Sequence, residues 1–441
     1  LSCLITACSN PFLPAAPPQP GKVLYALYDL WDRPIHSRAD LAHASVALTV
    51  KAMSSSDGQK IWQTSVLTGS AVNSIYGASI ISAGSTLFVA ISTPQAAAPS
   101  QKTGPKGQVI ALDALSGQVL WQSKLDGERI WQPTATNGNL YMEVDDKIEA
   151  LDGTSGKLLW RDLPDAGYHT GDLVVTKNAV YVAQEADFLP AAQRETYDSV
   201  MLRAFRLNDG KELWRREVAN TRKTGWISLV HVSIQADEQT IYVLSEGQVM
   251  EISGNVGADY PRYTLFALHA QDGSPVWSNP TQRPAEGPQE FSLTLANHVL
   301  YLVGVDNPGT NTLSTFQSQD GKLLSKWQTP LIVNPFKAPN HVYGSSLNKG
   351  ESFCALSASD GHKLWCGPYN QAGPALFSDG KVYLYAYKMS AQGSSNIEQP
   401  AQIYVLRESD GSLLAHYVPD DVARTVMMGM ALSHRERRCP F

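Results

Sequence analysis

Short runs of alternating apolar and polar residues fill the chain from about residue 22 to residue 432, and turns of Ser or Asp followed by Gly break them. A period of two predicts β-strands, because successive strand side chains point to opposite faces. The turn recurs eight times, with its glycine at Gly58, Gly117, Gly156, Gly210, Gly273, Gly321, Gly361 and Gly411. In six of the eight an Ala stands six residues before the Gly and a Trp four after, as in Ala52/Trp62, Ala111/Trp121, Ala150/Trp160, Ala204/Trp214, Ala267/Trp277 and Ala355/Trp365. A three-residue loop closing on a left-handed glycine pairs the residues that flank it, so counting outward sets each Ala opposite its Trp. In the other two units Thr315 faces Ser325 and Val405 faces Ala415. There the aromatic residues, Trp327 and Tyr417, lie two residues further along, on the same face of the strand.

A second register is independent of the first. An apolar residue followed by an aromatic ends at Tyr25, Phe88, Tyr141, Tyr181, Tyr242, Tyr301, Tyr343 and Tyr383, once before each glycine turn. Most of these pairs follow another apolar stretch across a short polar turn such as Thr136-Asn137-Gly138-Asn139. The repeating unit is therefore four strands, A to D, and eight such units predict an all-β, eight-bladed propeller of antiparallel blades. The first unit starts at its B strand near Lys22, while Thr425 to Leu432 is left over after the eighth D strand. That C-terminal run is expected to join the first blade and close the ring, which removes unpaired edges. The chain then divides into a signal-peptide remnant (1–7), a lipidation site with a Pro-rich tether (8–21), the propeller (22–434) and a basic tail (435–441).

The motif Ala111-Leu112-Asp113-Ala114-Leu115-Ser116-Gly117-Gln118-Val119-Leu120-Trp121, echoed from Ala150 to Trp160, resembles the tryptophan-docking repeat of propellers of the pyrroloquinoline-quinone (PQQ) type. The resemblance covers residues 22 to 432 and implies that Trp62, Trp121, Trp160, Trp214, Trp277 and Trp365 pack between neighbouring blades. Quinone-dependent dehydrogenases of this family carry calcium-binding acidic and amide residues, a catalytic Asp and usually an adjacent Cys-Cys pair. This sequence has no Cys-Cys, and isolated acidic residues such as Glu290 or Asp172 do not reconstitute that site. The stronger analogy is with non-enzymatic members, above all the lipid-anchored propeller lipoprotein of the outer-membrane barrel-assembly machinery.

Composition narrows the compartment and the partners. A formal charge of −6 on 441 residues, with no long basic stretch before the last ten, gives no nucleic-acid footprint. No apolar run approaches the length of a membrane-spanning helix. Ile5-Thr6-Ala7-Cys8 resembles a bacterial lipobox, which makes Cys8 the expected lipidation site and the chain an extracytoplasmic, membrane-anchored lipoprotein touching the membrane through lipid only. Five prolines between Ser9 and Gly21 make a semi-extended spacer. Cys354 and Cys366 face each other across the hairpin at Gly361, and outside the cytosol such a pair is expected to form a disulfide, with the reduced pair as the alternative. Cys439 has no evident partner in the sequence.

The A-to-B and C-to-D turns share one face of a propeller and are tight here. On the other face the B-to-C connections swell at residues 30–44, 92–106, 185–198, 246–261 and 389–400, whereas that of the third blade nearly vanishes at Asp145-Asp146. The long-loop face is the candidate binding surface, because loops of this length are uncommon unless functional or disordered. Its candidate residues are Trp31, Arg33 and His36, then Phe188, Arg194 and Tyr197, and, at the starts of A strands near the channel mouth, Tyr76, Trp131, His169, Trp226 and Glu290. No catalytic residue, metal ligand or cofactor is assigned. The expected function is a monomeric scaffold for a protein partner or small ligand. The alternatives are a PQQ- and calcium-dependent dehydrogenase and a surface carbohydrate-binding or sensor module.

Overall fold

A computed structural model describes residues 22–31, 46–68, 77–93, 106–186, 199–220, 228–253, 256–279, 290–305, 311–334, 341–345, 353–389, 397–417 and 425–433. They form eight four-stranded antiparallel sheets. Seven are built from four consecutive strands. The first takes Val23–Trp31, Val46–Ser54 and Lys60–Thr68, and Thr425–Ser433 supplies its fourth strand beside Val23–Trp31. The predicted closure of the ring is therefore present. A strands of adjacent blades contact one another, which places them innermost, with the D strands on the rim.

The two registers meet in one row across each sheet. In the first blade Tyr25 pairs with Ala52, which pairs with Trp62, and the two aromatic rings flank the small residue at 5.9 Å between centroids. Each outer-strand aromatic then reaches into the next blade. Trp62 Nε1 donates to the carbonyl of Ala114 at 3.2 Å, and Trp160 Nε1 to that of Leu207 at 2.7 Å. Tyr417, standing where the others have Trp, donates its hydroxyl to the carbonyl of Ser55 at 3.0 Å, so the eighth blade docks on the first. The docked ring lies on the turn glycine, where a Cβ added at Gly58 would sit 2.0 Å from the Tyr417 ring. Positive φ at that glycine (70°) is the second reason no other residue suits the position.

One detail of the sequence reading is corrected. The Ala opposes the Trp as counted, but the loop between them holds four residues rather than three. The Ser54 amide donates to the Gln59 carbonyl, and the Gly58 amide to the Ser54 carbonyl, so the strands close around residues 55–58. The register then slips between Ala52 and Met53, and Ile61 is the extra residue on the outer strand. Every blade repeats this bulge at the same place. The added twist on the outermost strand blunts an edge that would otherwise template strand pairing.

A second correction concerns residues 246–261. They continue two strands, Thr240–Ser253 and Val256–His269, in unbroken register out to Ser253 opposite Val256. Gly254-Asn255 between apolar alternations is a two-residue hairpin signal that the loop reading missed. Residues 397–400, also read as loop, begin the strand Ile397–Arg407. The third-blade connection is as short as expected, with Asp145 and Asp146 both at positive φ (46° and 67°) between Asn139–Val144 and Lys147–Asp152. Cys354 and Cys366 are register partners joined by a disulfide.

Candidate functional site at the channel mouth

Three consecutive innermost strands, Ile130–Thr136, Tyr168–Val175 and Ser228–Ala236, lose register near their starts. The slips fall between Trp131 and Thr134, Thr170 and Asp172, and Leu229 and His231. A bulge re-aims side chains, and here it turns polar groups sideways into the neighbouring blade. Gln132, at a φ of 47°, donates from Nε2 to Asp172 Oδ1 at 2.5 Å and accepts the Leu173 amide on Oε1 at 2.8 Å. Asp172 Oδ2 in turn accepts the Ile234 amide of the fifth blade at 2.7 Å. Blades three, four and five are thus stitched at the channel by side chains bonded to backbone amides.

Beside this stitch stands a carboxylate between two imidazoles. Glu185 Oε1 accepts the Val232 amide at 2.9 Å and lies 3.6 Å from His231 Nδ1, while Oε2 lies 3.4 Å from His169 Nε2. The carboxylate fits because residue 171 is glycine, where a Cβ would come 2.5 Å from Glu185 Oε1. The bond to Glu185 raises the His231 pKa, against the opposing effect of its burial. Burial raises that of Asp172, although its hydrogen bonds oppose the shift.

Glu143 is the most perturbed of the group. It pairs across the strands with Trp131, so the two side chains share one face of the sheet. Glu143 is 8% exposed and Trp131 is 46% exposed, so an accessible indole stands next to a buried carboxyl. Burial, with the nearby Asp146 charge adding to it, pushes the Glu143 pKa up to about 7. Between the ordinary value of 4.5 and about 7 the folded chain holds a proton that the unfolded chain has released, so stability falls as pH rises through that window. A shift of this size corresponds to about 3 kcal/mol. Glu143→Gln should therefore gain about 3 kcal/mol over the native chain on going from pH 4 to pH 8. Urea unfolding of both proteins at the two pH values checks this, and a constant difference would refute it.

The structure places the sequence candidates unevenly. Trp131 and His169 fall near the starts of two adjacent innermost strands, Trp131 opposite Glu143 and His169 opposite Glu185. Trp31 and Glu290 fall at strand ends, and Arg33, His36, Tyr76, Phe188, Arg194, Tyr197 and Trp226 lie outside the described residues, as do Cys8 and Cys439. The partners that give the rim its character, Glu143, Asp172, Glu185 and His231, were not among the candidates for the binding face. One signal was available. Two residues beyond the B-strand aromatic the chain has Leu27, Ala90, Ala183, Leu244, Val303, Ser345 and Tyr385, none of them an acid, but Glu143 in the third blade. Among the described residues no group of three or more His, Cys, Asp or Glu is arranged to hold a metal ion.

This geometry can be set beside known proteins. Residues 47–258, a little under half the chain, match the model of the PQQ_2 family, described as outer membrane protein assembly factor BamB. Over those residues the chain is similar to that family. No curated protein matches the sequence. Among solved structures, AztD from Citrobacter koseri is 11% identical, covering 95% of this chain and 100% of its own, with a TM-score of 0.52. A structure described as the eukaryotic initiation factor is likewise 11% identical, covering 95% and 99%, at a TM-score of 0.51. BamB from Moraxella catarrhalis is 15% identical over 79% of this chain and 92% of its own, at 0.47. At such identities the first two likenesses concern the fold alone.

Proposed function

We propose that this chain is a non-enzymatic binding scaffold on the extracytoplasmic side of a membrane, and that it engages a protein partner or small ligand at the channel mouth over blades three to five. The observation that carries this reading is Trp131, an exposed indole beside the buried carboxyl of Glu143 on a rim held rigid by Gln132 and Asp172. Accessible Trp residues on rigid supports are favoured binding anchors. The Cys354–Cys366 disulfide suits an oxidising compartment, and the match to the BamB family model points the same way.

Cys8 completes the proposal as the lipid site. Lys22, the first described residue, is fixed on the tight-turn face, where its ammonium donates to Ser378 Oγ at 2.6 Å and pairs with Asp379. A tether preceding it would join the propeller on the side opposite the channel mouth described above. Titration with PQQ and calcium tests the absence of quinone chemistry. No saturable absorbance change and no dye reduction are expected, whereas saturable binding with dye reduction would establish a dehydrogenase instead.

A further inference from the structure

Among the described residues blade seven carries the least strand of the eight. Its elements are Ile332–Asn334, His341–Ser345, Phe353–Ser357 and Lys363–Gly367, whereas every strand of blade six has seven residues and every strand of blade one has nine. Its outer strand stands at the edge of the sheet and pairs with Phe353–Ser357 from Phe353 opposite Gly367 to Leu356 opposite Lys363, and a short edge strand is the kind of element that opens locally at low free energy.

The outermost strand of this blade, Lys363–Gly367, is held from both sides. Toward blade six, Cys366 is bonded to Cys354, which is fully buried in a cluster with Leu313, Val342 and Leu356. Toward blade eight, Trp365 donates to the Glu408 carbonyl at 2.8 Å and covers Gly411. Its ring also meets Tyr343 and Phe353, with centroids 6.0 and 6.1 Å away. The cross-link thus joins the edge strand to the one strand it pairs with, and one of its two residues, Cys366, is exposed on the rim while the other is sealed inside.

We propose that Cys354–Cys366 is a redox latch: reducing it releases the outer strand of blade seven and undocks Trp365 from blade eight while the rest of the ring stays folded. The reductant is a dithiol. Its thiolate attacks Sγ of the exposed Cys366, forming a mixed disulfide and expelling Cys354 as a thiolate that takes up a proton. Its second thiol, once deprotonated, displaces Cys366, which leaves two cysteine thiols and the oxidised reductant. Two electrons and two protons pass to the protein.

Hydrogen exchange followed by mass spectrometry on the full chain, with and without dithiothreitol in native buffer, tests the latch. Reduction should lower amide protection across Lys363–Gly367 on the order of a hundredfold, the weight that chain-entropy arguments give a closed loop of this size. Protection in blades three and four should stay unchanged. The double variant Cys354→Ala/Cys366→Ala should reproduce the pattern without reductant, and the wild-type comparison stands by itself if that variant does not fold. Unchanged protection in blade seven, an even loss over all blades, or a disulfide that resists dithiothreitol until the whole ring unfolds would each overturn the proposal.

Discussion

Deleting residues 424–441 is expected to lower the unfolding midpoint of this protein sharply. The deletion removes Thr425–Ser433 and uncovers the Val23–Trp31 edge, which pairs with it from Val23 opposite Ser433 to Leu30 opposite Thr425. It also strips the cover from a core in which Met427, Met430 and Tyr385 pack against Leu24, Ala26 and Tyr28. Burying a side chain of Met size stabilises by about 1.5 to 3 kcal/mol, and each backbone bond adds about 0.5 to 1.5. Two methionines and a strand of backbone pairing together match the roughly 5 to 15 kcal/mol that separates folded from unfolded domains. Thermal unfolding followed by circular dichroism checks this, and a midpoint equal to that of the full chain would show that the last strand is dispensable.

Trp160→Ala should be the most costly single substitution among the docking residues, at about 3 to 5 kcal/mol. Trp160 is buried, bonds to the Leu207 carbonyl, and packs against Tyr141 and Phe205, with centroids 6.1 and 6.2 Å away. The complementary change, Gly210→Ala, is expected to destabilise too. It places a Cβ 2.5 Å from the same indole at a φ of 64°, where a side chain is strained by about 1 to 2 kcal/mol before any clash. Because the two residues are in contact, the double variant should cost less than the sum of the two single changes. Trp131→Ala provides the contrast, since an exposed ring contributes little to the fold. Denaturant midpoints of the four proteins order these expectations, and equal losses for Trp160→Ala and Trp131→Ala would remove the distinction between docking and rim tryptophans.

The contrast also explains what the sequence made legible. Docking tryptophans are readable because a repeat of eight turns fixes their offset from a glycine, and the offset survives even though the loop is one residue longer than counted. The missing residue is returned by the bulge at positions such as Ile61. Ring closure was readable from one strand too few at the start and one too many at the end. The hairpin of blade five was misread because polar residues such as Glu251, Ser253 and Asp259 give its alternation a loop-like composition.

The channel mouth was only half readable. Trp131 and His169 stand out as large side chains at strand starts, but Asp172 and Glu185 owe their positions to bulges, which leave no local sequence mark. Apart from His169, which shares the sheet of Glu185, the partners that decide the arrangement come from other blades, at separations such as the 62 residues from Asp172 to Ile234. Glu143 was visible in principle as the one charged residue in its column, a comparison that needs all the blades aligned.

The central claim is that the channel mouth around Trp131 is where a partner binds. Its most direct test is to place a photo-reactive benzoyl-phenylalanine at Trp131 in the native host, and in parallel at Leu159, which is exposed beside a tight turn on the rim. Discrete cross-linked adducts at position 131 and none at 159 are predicted; adducts at 159 with none at 131 would contradict the account.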